Sequence, residues 1–212
     1  MLDQDILDAA ATTGTASLHE AAGKIGALPS AIKPLSPAMR VAGRAFPVRS
    51  PGGDNLWLHR AIAAAAEGDV LVVATGGATE FGYWGEIMTR AAQARRLGGL
   101  VIEGGVRDAA ALAEAGFPVF AHAVCIRGTG KDPEGDGALG TAVSIGAITV
   151  RPGDLVVGDG DGVVVLPAAQ AAAAVRNAIA RDHAEREILA RLARGETTMD
   201  IYGLPRQPGE GA

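Results

Sequence analysis

Three short apolar segments, separated by segments of helical character, constrain the fold more than any other feature of the sequence. They occupy 69–74 (DVLVVA), 99–103 and 118–126, and the segments 85–97 and 107–116 between them have helical character. Short apolar runs that alternate with helices are typical of βαβ units, in which a helix connects two parallel strands. The sequence therefore predicts an α/β fold built on a parallel sheet.

The part of the chain that precedes residue 85 predicts four further segments. Capping and glycine signals favour a helix at 15–26, begun by Thr15 or Ser17 and ended by Gly26. The other three are a strand at 41–48 that Pro47 breaks near its end, a helix from Asp54 or Asn55 to about Gly68, and a glycine-rich loop at 75–84 with no regular structure.

The character of the chain changes after residue 141. Three β-like runs at 142–150, 154–158 and 162–166 are separated by the turns RPGD and GDGDG. Pro167 suits the first position of a long last helix that reaches about Arg194. No domain boundary is visible, so we predict a single α/β domain over 1–212 with a β-rich C-terminal half, a mobile surface loop at 128–140 and a frayed tail at 207–212.

Composition excludes several classes of function. Hydrophobic residues make up 48% of the 212 residues but aromatic residues only 4%, so the core must be mostly aliphatic. A net charge of −5 argues against nucleic-acid binding, which needs a basic surface. The single Cys125 permits no disulfide within the chain and is expected to be a buried small apolar residue. No signal peptide or membrane-length apolar run is visible, so we expect a cytoplasmic protein without membrane contact.

The pair Arg107-Asp108 is the first candidate for a functional site. It follows the apolar run at 99–103 through Gly104-Gly105 and precedes a predicted helix. Ligands of α/β proteins gather at the carboxyl ends of strands, and glycines let the backbone approach a ligand closely. The alternative is structural, because an aspartate at a helix start also interacts favourably with the helix dipole.

The segment GYWGEIMTRAA (82–92) is the second candidate, since it opens the helix predicted after the strand at 69–74. Backbone N–H groups of Glu86, Ile87 and Met88 would point outward, unpaired, toward an anion. Glu86 lies 21 residues before Arg107, so successive parallel strands would bring the two helix starts together. An ordinary helix start with a glutamate in its first turn is the alternative.

The other motifs give weaker evidence for a functional site. GDGDG (158–162) lacks the further ligands of a calcium loop and is expected to be a tight turn. The four histidines show no spacing typical of a metal site, and there is no GxSxG elbow for a serine nucleophile.

Several segments together resemble one family over residues 14–203. They are GTASLHEAAGKIG, GDNLWLHRA, GDVLVVA, GYWGEIMTRAAQARRLGGLVIEGGVRDAAALAEAGFPVFA, GTGK, RPGDLVVGDGDGVVVLP and ARGETTMDIYG. The chain resembles the RraA-like superfamily and, within it, the 4-hydroxy-4-methyl-2-oxoglutarate/4-carboxy-4-hydroxy-2-oxoadipate aldolases. The resemblance implies a swivelling α/β/α-type domain.

The resemblance also implies a reaction and a set of site residues. The reaction is the retro-aldol release of pyruvate from 4-hydroxy-4-substituted 2-oxo dicarboxylic acids, dependent on Mg²⁺ or Mn²⁺, with oxaloacetate decarboxylation as a side activity. The acidic-X20-Arg-Asp signature of the family corresponds to Glu86, Arg107 and Asp108. Characterised aldolases have Asp at the first of these positions. The resemblance implies that Arg107 contacts pyruvate and that Asp108 holds the metal. The loop at Gly85 and the amides of Glu86, Ile87 and Met88 would bind the carboxylate.

The family forms trimers and hexamers with sites between subunits, so the resemblance implies a homo-oligomer. A glutamate from the C-terminal helix of a neighbouring subunit reaches the family's site, and Glu185 is the best match, with Glu187 close behind.

Two other functions stay open from the sequence. One is a Schiff-base aldolase that uses one of three lysines, although Lys131 lies on a predicted surface loop where nothing would activate its amine. The other is a non-catalytic regulator that binds a ribonuclease or another protein. The regulatory branch of the family tends to lack the aspartate after the arginine, so Asp108 favours the enzyme.

Overall fold

Strands and helices alternate through the middle of the chain, and short strands follow after residue 137. The computed structural model describes residues 2–205. Its strands are β1 (Lys33–Pro34), β2 (Val41–Arg49), β3 (Val70–Ala74), β4 (Gly82–Trp84), β5 (Gly99–Val106), β6 (Val119–Val124), β7 (Ala138–Leu139), β8 (Val143–Ile145), β9 (Ile148–Val150), β10 (Leu155–Asp159) and β11 (Gly162–Leu166). Its helices are α1 (Gln4–Thr12), α2 (Thr15–Ala21), α3 (Leu56–Ala64), α4 (Glu86–Ala94), α5 (Ala109–Glu114), α6 (Ala168–Ala193) and α7 (Thr198–Tyr202).

The centre of the sheet is parallel, as the alternating segments predicted. Strands β2, β3, β5 and β6 pair in parallel, within the order β1-β6-β5-β3-β2-β10-β11. Every side chain of β3 is buried, which explains why this strand is apolar throughout rather than alternating. The predicted mixed α/β fold with a long C-terminal helix is confirmed.

The sheet comes close to closing on itself. The N–H of Leu28 donates to the carbonyl of Val163 at 2.9 Å, and the N–H of Val165 donates to Gly26 at 2.8 Å. A few residues further on, β1 pairs with β6 at the other edge of the sheet. Gly26 has a φ of +82°, and a Cβ there would collide with the Val165 carbonyl, so only glycine fits this position.

The core is mostly aliphatic, as the composition predicted, and the few aromatic residues occupy defined places in it. Trp84 and Phe117 stack at 6.3 Å where α4 and α5 cover one face of the sheet. Phe120 lies in a second cluster that is otherwise built from Val, Ile, Leu and Ala. A third cluster joins α1, α2 and α6 to β10 and β11.

Several predicted boundaries were wrong. Pro47 does not break β2, which continues to Arg49, because Pro47 needs no N–H there and its carbonyl accepts the N–H of Gly140 at 2.9 Å. The segment predicted as an irregular loop at 75–84 contains β4, which pairs with the end of β5. Helices α1 and α7 were not predicted.

Gly104 and Gly105 lie inside β5 rather than after it. The register against β6 shifts between Ile102 and Gly105, which is the signature of a bulge. A Cβ on Gly104 would come within 2.6 Å of the Tyr83 ring, and a Cβ on Gly105 within 2.7 Å of the Phe81 carbonyl. The two glycines therefore let the segment that contains β4 pack closely against β5.

The loop predicted to be mobile at 128–140 is tied to the body of the protein by hydrogen bonds. The N–H of Gly130 donates to Gly53 at 2.8 Å, and the Trp57 indole donates to the Gly135 carbonyl at 2.9 Å. Strand β7 pairs with β2 at the end of the same segment. Cys125, expected to be buried, is partly exposed.

The GDGDG segment forms the predicted tight turn, between β10 and β11. Among the helices of residues 2–205, none has the length and apolar character that crossing a membrane requires. The tail predicted at 207–212 lies outside the described residues.

Asp159 supplies the N-terminal cap of α2, a role that the sequence assigned to Thr15 or Ser17. Its carboxylate accepts the Thr15 N–H at 2.9 Å, the Thr15 hydroxyl at 2.6 Å and the Asp161 N–H at 3.0 Å. Burial by itself would raise the pKa of Asp159, but these hydrogen bonds and the charge of Arg40 hold the pKa below its ordinary value. The carboxylate therefore fastens α2 to the β10–β11 hairpin.

We predict that Asp159→Asn lowers the free energy of unfolding at pH 7 by about 1.5–3 kcal/mol, the range for a hydrogen bond to a charged group. Because the folded pKa of Asp159 is lowered, its contribution is present above the unfolded pKa and is lost as the pH falls through the folded value. The difference between the two proteins should therefore shrink as the solution becomes more acidic than about pH 4.

Urea unfolding across that pH range measures this difference. Asp161→Asn is the matched control, because Asp161 contributes only backbone atoms to these contacts. A loss of stability that is equal at neutral and acidic pH would contradict the assignment.

Candidate active site

The two sequence-predicted helix starts meet at the carboxyl ends of β4 and β5. Asp108 Oδ2 accepts the N–H of Glu86 at 3.0 Å, and the N–H of Arg107 donates to the Trp84 carbonyl at 2.8 Å. The prediction that parallel strands bring these helix starts together is therefore confirmed. Asp108 lies at the N-cap of α5 with φ +58° and ψ +37°, a left-handed conformation that aspartate tolerates better than most residues.

Gly85 makes this contact possible. A Cβ at this position would collide with Asp108 Oδ2 and would lie 3.2 Å from Cγ of Arg107. A side chain at position 85 would therefore push the Asp108 carboxylate and the Arg107 side chain away from the backbone that opens α4.

Arg107 and Asp108 line a cavity of about 240 Å³. Gly85, Ile87 and Met88 of the predicted anion-binding segment line it as well. The remaining lining residues are Asn55, His59, Tyr83 and Lys131, none of which the sequence assigned to the site.

A larger cavity of about 460 Å³ lies beyond the ends of β2 and β3. There the Arg49 guanidinium is already paired with both carboxylate oxygens of Asp136, at 2.9 and 3.0 Å. We therefore take the smaller cavity as the candidate site.

Lys131 reaches the cavity because its loop is paired with the turn before α3. Besides the Gly130–Gly53 hydrogen bond, the N–H of Asn55 donates to Gly130 at 3.1 Å and Asp54 Oδ2 accepts the N–H of Asp132 at 2.5 Å. This places a second cation in the cavity beside Arg107.

His59 lies half-buried on the same wall. Burial, and secondarily the positive charge of Lys131, lower the pKa of His59 below its ordinary value. The imidazole is therefore neutral at pH 7 and can accept or donate a hydrogen bond, but it adds no third positive charge.

Asn55 presents an unsatisfied acceptor. Its Nδ2 donates to the Tyr83 carbonyl at 2.8 Å and contacts Met88 Sδ at 3.6 Å, while its Oδ1 is buried and has no hydrogen-bond partner. A buried acceptor without a partner costs about 1–3 kcal/mol, so such atoms are rare in folded proteins. A bound ligand or water with a suitably placed donor would satisfy it.

The contacts of Glu86 differ from those predicted from the sequence. Its N–H, expected to be free for an anion, is engaged by Asp108. Its side chain lies 3.4 Å from Arg90, one helical turn along α4, and does not line the cavity. Met88 is buried at the cavity wall, whereas Ile87 is 82% exposed at its mouth.

Glu185 lies on α6, which packs against α1, α2 and α7. Its carboxylate pairs with Arg181 at 2.9 Å, and it does not line the cavity of its own chain. The role assigned to Glu185 concerns a neighbouring subunit and stays a prediction.

The donor set of the cavity fits a hard divalent cation held by a single protein carboxylate. Within residues 2–205 no group of three or more His, Cys, Asp or Glu side chains is placed to hold a metal ion. Asp108 is exposed to the cavity through its carboxylate, and the unpaired Asn55 Oδ1 could accept a hydrogen bond from a water of hydration. One carboxylate with water and ligand oxygens is the coordination that Mg²⁺ prefers.

The sequence contained a weak signal for two of the cavity residues that it did not predict, Asn55 and His59. Asn55 and His59 are four residues apart in NLWLH, so they share a face of the helix that follows β2. The carboxyl end of β2 lies two strands away from that of β5 in the same parallel sheet. Lys131 had no comparable signal, because only the pairing of its loop with Gly53 brings it to the site.

Comparisons with known proteins agree with this architecture. A relative from Halalkalibacterium halodurans, provisionally named 4-hydroxy-4-methyl-2-oxoglutarate aldolase, is 35% identical over 159 residues, which cover 75% of each chain. The crystal structure of an uncharacterised protein from Pseudomonas syringae superposes with a TM-score of 0.82 at 32% identity and covers 92% of each chain. That of Streptomyces coelicolor RraAS2, described as an unusual member of the RNase ES inhibitor RraA family, gives 0.73 at 26% identity and covers 91% of this chain and all of that one.

The model of the RraA-like family, described as Aldolase/RraA, matches residues 4–165. The match spans the parallel sheet, Arg107 and Asp108, and the chain therefore belongs to the RraA-like family.

Proposed function

We propose that this protein is a class II pyruvate aldolase that cleaves 4-hydroxy-4-substituted 2-oxo dicarboxylic acids. The observation that carries the proposal is the arrangement of Arg107 and Asp108, which share one wall of a cavity large enough for a small 2-oxo acid. The provisional aldolase name of the Halalkalibacterium halodurans relative supports it. Two cations, Arg107 and Lys131, line the cavity with one carboxylate, a balance that suits a substrate with two carboxylates.

Binding of the pyruvyl part is assigned to the wall formed by α4 and β5. The planar guanidinium of Arg107 can meet a carboxylate through two parallel hydrogen bonds. The amides of Ile87 and Met88 at the start of α4 are proposed to donate to the same carboxylate, whereas the amide of Glu86 holds Asp108. Asp108 would hold Mg²⁺ or Mn²⁺, which when bound would supply positive charge for the oxygens of the 2-oxo acid.

The remaining steps of the cleavage need a proton acceptor and a stabilised enolate. As the C4 hydroxyl loses its proton, C4 becomes the carbonyl carbon of the second product and the C3–C4 bond breaks. The electron pair of that bond forms the pyruvate enolate, which takes up a proton at C3 to give pyruvate. The fixed charge of Arg107 lies where that negative charge develops. We assign the proton to a water held by Glu185 of a neighbouring copy, because Glu86, the other glutamate named from the sequence, pairs with Arg90 and does not line the cavity. Loss of CO₂ from oxaloacetate gives the same enolate, so decarboxylation is a proposed side activity.

We further propose that the protein acts as a homo-oligomer, a trimer or hexamer with sites between subunits. The second half of α6 has no buried side chain, and Leu189 there is 63% exposed. Ile87 at the cavity is 82% exposed, and Ile126, two residues after β6, is 92% exposed. Apolar side chains this exposed are typical of contact surfaces.

Two alternatives have support in specific observations. Lys131 lines the cavity, so a Schiff base with the substrate carbonyl is chemically conceivable at this site. The similarity to RraAS2 supports a non-catalytic regulator that binds a ribonuclease or another protein. Asp108 in the cavity favours the metal-dependent enzyme over both.

The first prediction is that pyruvate release depends on a divalent metal. Metal-stripped protein should release no pyruvate from a panel of 4-hydroxy-2-oxo acids and oxaloacetate, and Mg²⁺ or Mn²⁺ should restore release. Inactivation of stripped protein by borohydride with substrate, through Lys131, would instead establish the Schiff base. No release from any substrate with metal present would support the regulator.

The second prediction separates the roles of Arg107 and Asp108. Asp108→Asn keeps the shape but removes the anionic ligand, so metal affinity and turnover should collapse together. Arg107→Lys keeps the charge but loses the planar fork, so it should still bind metal while losing roughly 2–4 kcal/mol of transition-state stabilisation.

Both effects are measured by determining the metal affinity of each variant by calorimetry together with its kcat/KM. Arg95→Lys is the matched control for Arg107→Lys, because Arg95 is exposed after the end of α4, contacts the Ala63 carbonyl and does not line the cavity. If both variants remain active and bind metal as tightly as the wild-type protein, Arg107 and Asp108 only shape a helix start.

A further inference from the structure

The hydroxyl of Tyr83 joins the loops that follow β2 and β3, and the first of these loops leads into the cavity residue Asn55. It donates to the Ala78 carbonyl at 2.9 Å and accepts the Gly53 N–H at 2.9 Å. Ala78 belongs to the loop between β3 and β4, and Gly53 belongs to the turn between β2 and α3. One buried side chain thus links the loops that leave two neighbouring parallel strands.

The position of this hydroxyl is fixed by the surrounding structure. The Tyr83 ring is fully buried, meets Phe81 edge-to-face at 5.9 Å, and lies where a Cβ on Gly104 of β5 would be. Burial, as the largest effect, raises the pKa of Tyr83 above its ordinary value. The phenol is therefore protonated at neutral pH and is available as a hydrogen-bond donor.

The turn held by Tyr83 carries one whole wall of the cavity. The Tyr83 carbonyl accepts the side-chain amide of Asn55, and the Asn55 N–H donates to Gly130, next to Lys131. His59 follows on the same helix, one turn after Asn55. Asn55, His59 and Lys131 therefore move together with the turn that the Tyr83 hydroxyl fastens.

The wall of the cavity that contains Arg107 and Asp108 is held by other hydrogen bonds. Arg107 is held through its N–H by the Trp84 carbonyl, and Asp108 is held by the N–H of Glu86. Neither contact uses the Tyr83 hydroxyl. The two walls touch where Asn55 Nδ2 contacts Met88 Sδ at 3.6 Å, but the hydroxyl of Tyr83 supports only the wall of Asn55, His59 and Lys131.

We propose that Tyr83 is a positioning residue that sets the wall of Asn55, His59 and Lys131 against the part of the substrate beyond the pyruvyl unit. The inference rests on the proposed aldolase function, because it assigns the pyruvyl unit and the metal to the wall of Arg107 and Asp108. Loss of the Tyr83 hydroxyl should then weaken recognition of the rest of the substrate and leave metal binding intact.

Tyr83→Phe tests this, because it keeps the buried ring and removes both hydrogen bonds. In the metal-loaded protein, KM for a 4-hydroxy-2-oxo dicarboxylic acid should rise about tenfold or more, whereas the Mn²⁺ dissociation constant should stay within about twofold, since tenfold corresponds to one typical hydrogen bond. An unchanged KM would overturn the proposal. So would an equal loss of Mn²⁺ affinity, because general loosening of the site would then explain both effects.

Thr15→Val is the control for loss of a buried hydroxyl hydrogen bond. It removes the bond from the Thr15 hydroxyl to Asp159 at 2.6 Å, and Thr15 does not line the cavity. We expect a comparable loss of thermal stability with an unchanged KM. A KM that rises as much as in Tyr83→Phe would show that any loss of stability has the same effect, and the specific role of Tyr83 would be wrong.

Hydrogen–deuterium exchange separates this inference from the proposed function, because it needs no turnover. Tyr83→Phe should speed amide exchange at 51–55 and 128–132 and leave 105–114 unchanged. If the wild-type protein releases no pyruvate but shows this pattern on substitution, the aldolase proposal fails while the anchoring of that wall by Tyr83 stands. Unchanged exchange at 51–55 would overturn the anchoring whatever the activity.

Discussion

The hydrogen bond from the Glu86 amide to the Asp108 carboxylate, made across Gly85, is the contact on which the candidate site depends. It joins the first residue of α4 to the N-cap of α5, and the missing side chain at position 85 leaves room for it. Asp108 makes this contact from a left-handed backbone conformation and lines the cavity. The candidate site therefore lies at this junction of two strands and two helices.

The charges around that contact explain what the cavity can bind. Asp108 brings the negative charge that a divalent cation needs, while Arg107 and Lys131 bring two positive charges for carboxylates. His59 adds no charge at neutral pH because burial and Lys131 lower its pKa. Asn55 adds a buried oxygen that still lacks a donor. Together these groups support the proposal that the cavity binds a small dianionic 2-oxo acid.

The sequence predicted the features that depend on local pattern. Short apolar runs between helical segments were enough to predict the parallel sheet. The rule that ligands gather at strand ends made Arg107 and Asp108 candidates, and both line one cavity in the structure. The pattern at 75–84 was misread because β4 is stabilised by pairing with β5 across two glycines, not by its own composition. Lys131 was dismissed because its loop looked mobile, whereas hydrogen bonds to residues 53–55 hold it at the cavity. Contacts between loops distant in sequence leave no local pattern to read.

The claim that Arg107 and Asp108 form one site for a metal and a 2-oxo acid can be tested by the coupling between two ligands. The measurement is the calorimetric affinity for oxalate, an analogue of the pyruvate enolate, with and without Mn²⁺. If the account is right, Mn²⁺ should tighten oxalate binding at least tenfold, and oxalate should tighten Mn²⁺ binding by the same factor, because coupling between two ligands is reciprocal. Oxalate binding that is indifferent to Mn²⁺, or Mn²⁺ binding that survives in Asp108→Asn, would contradict the account.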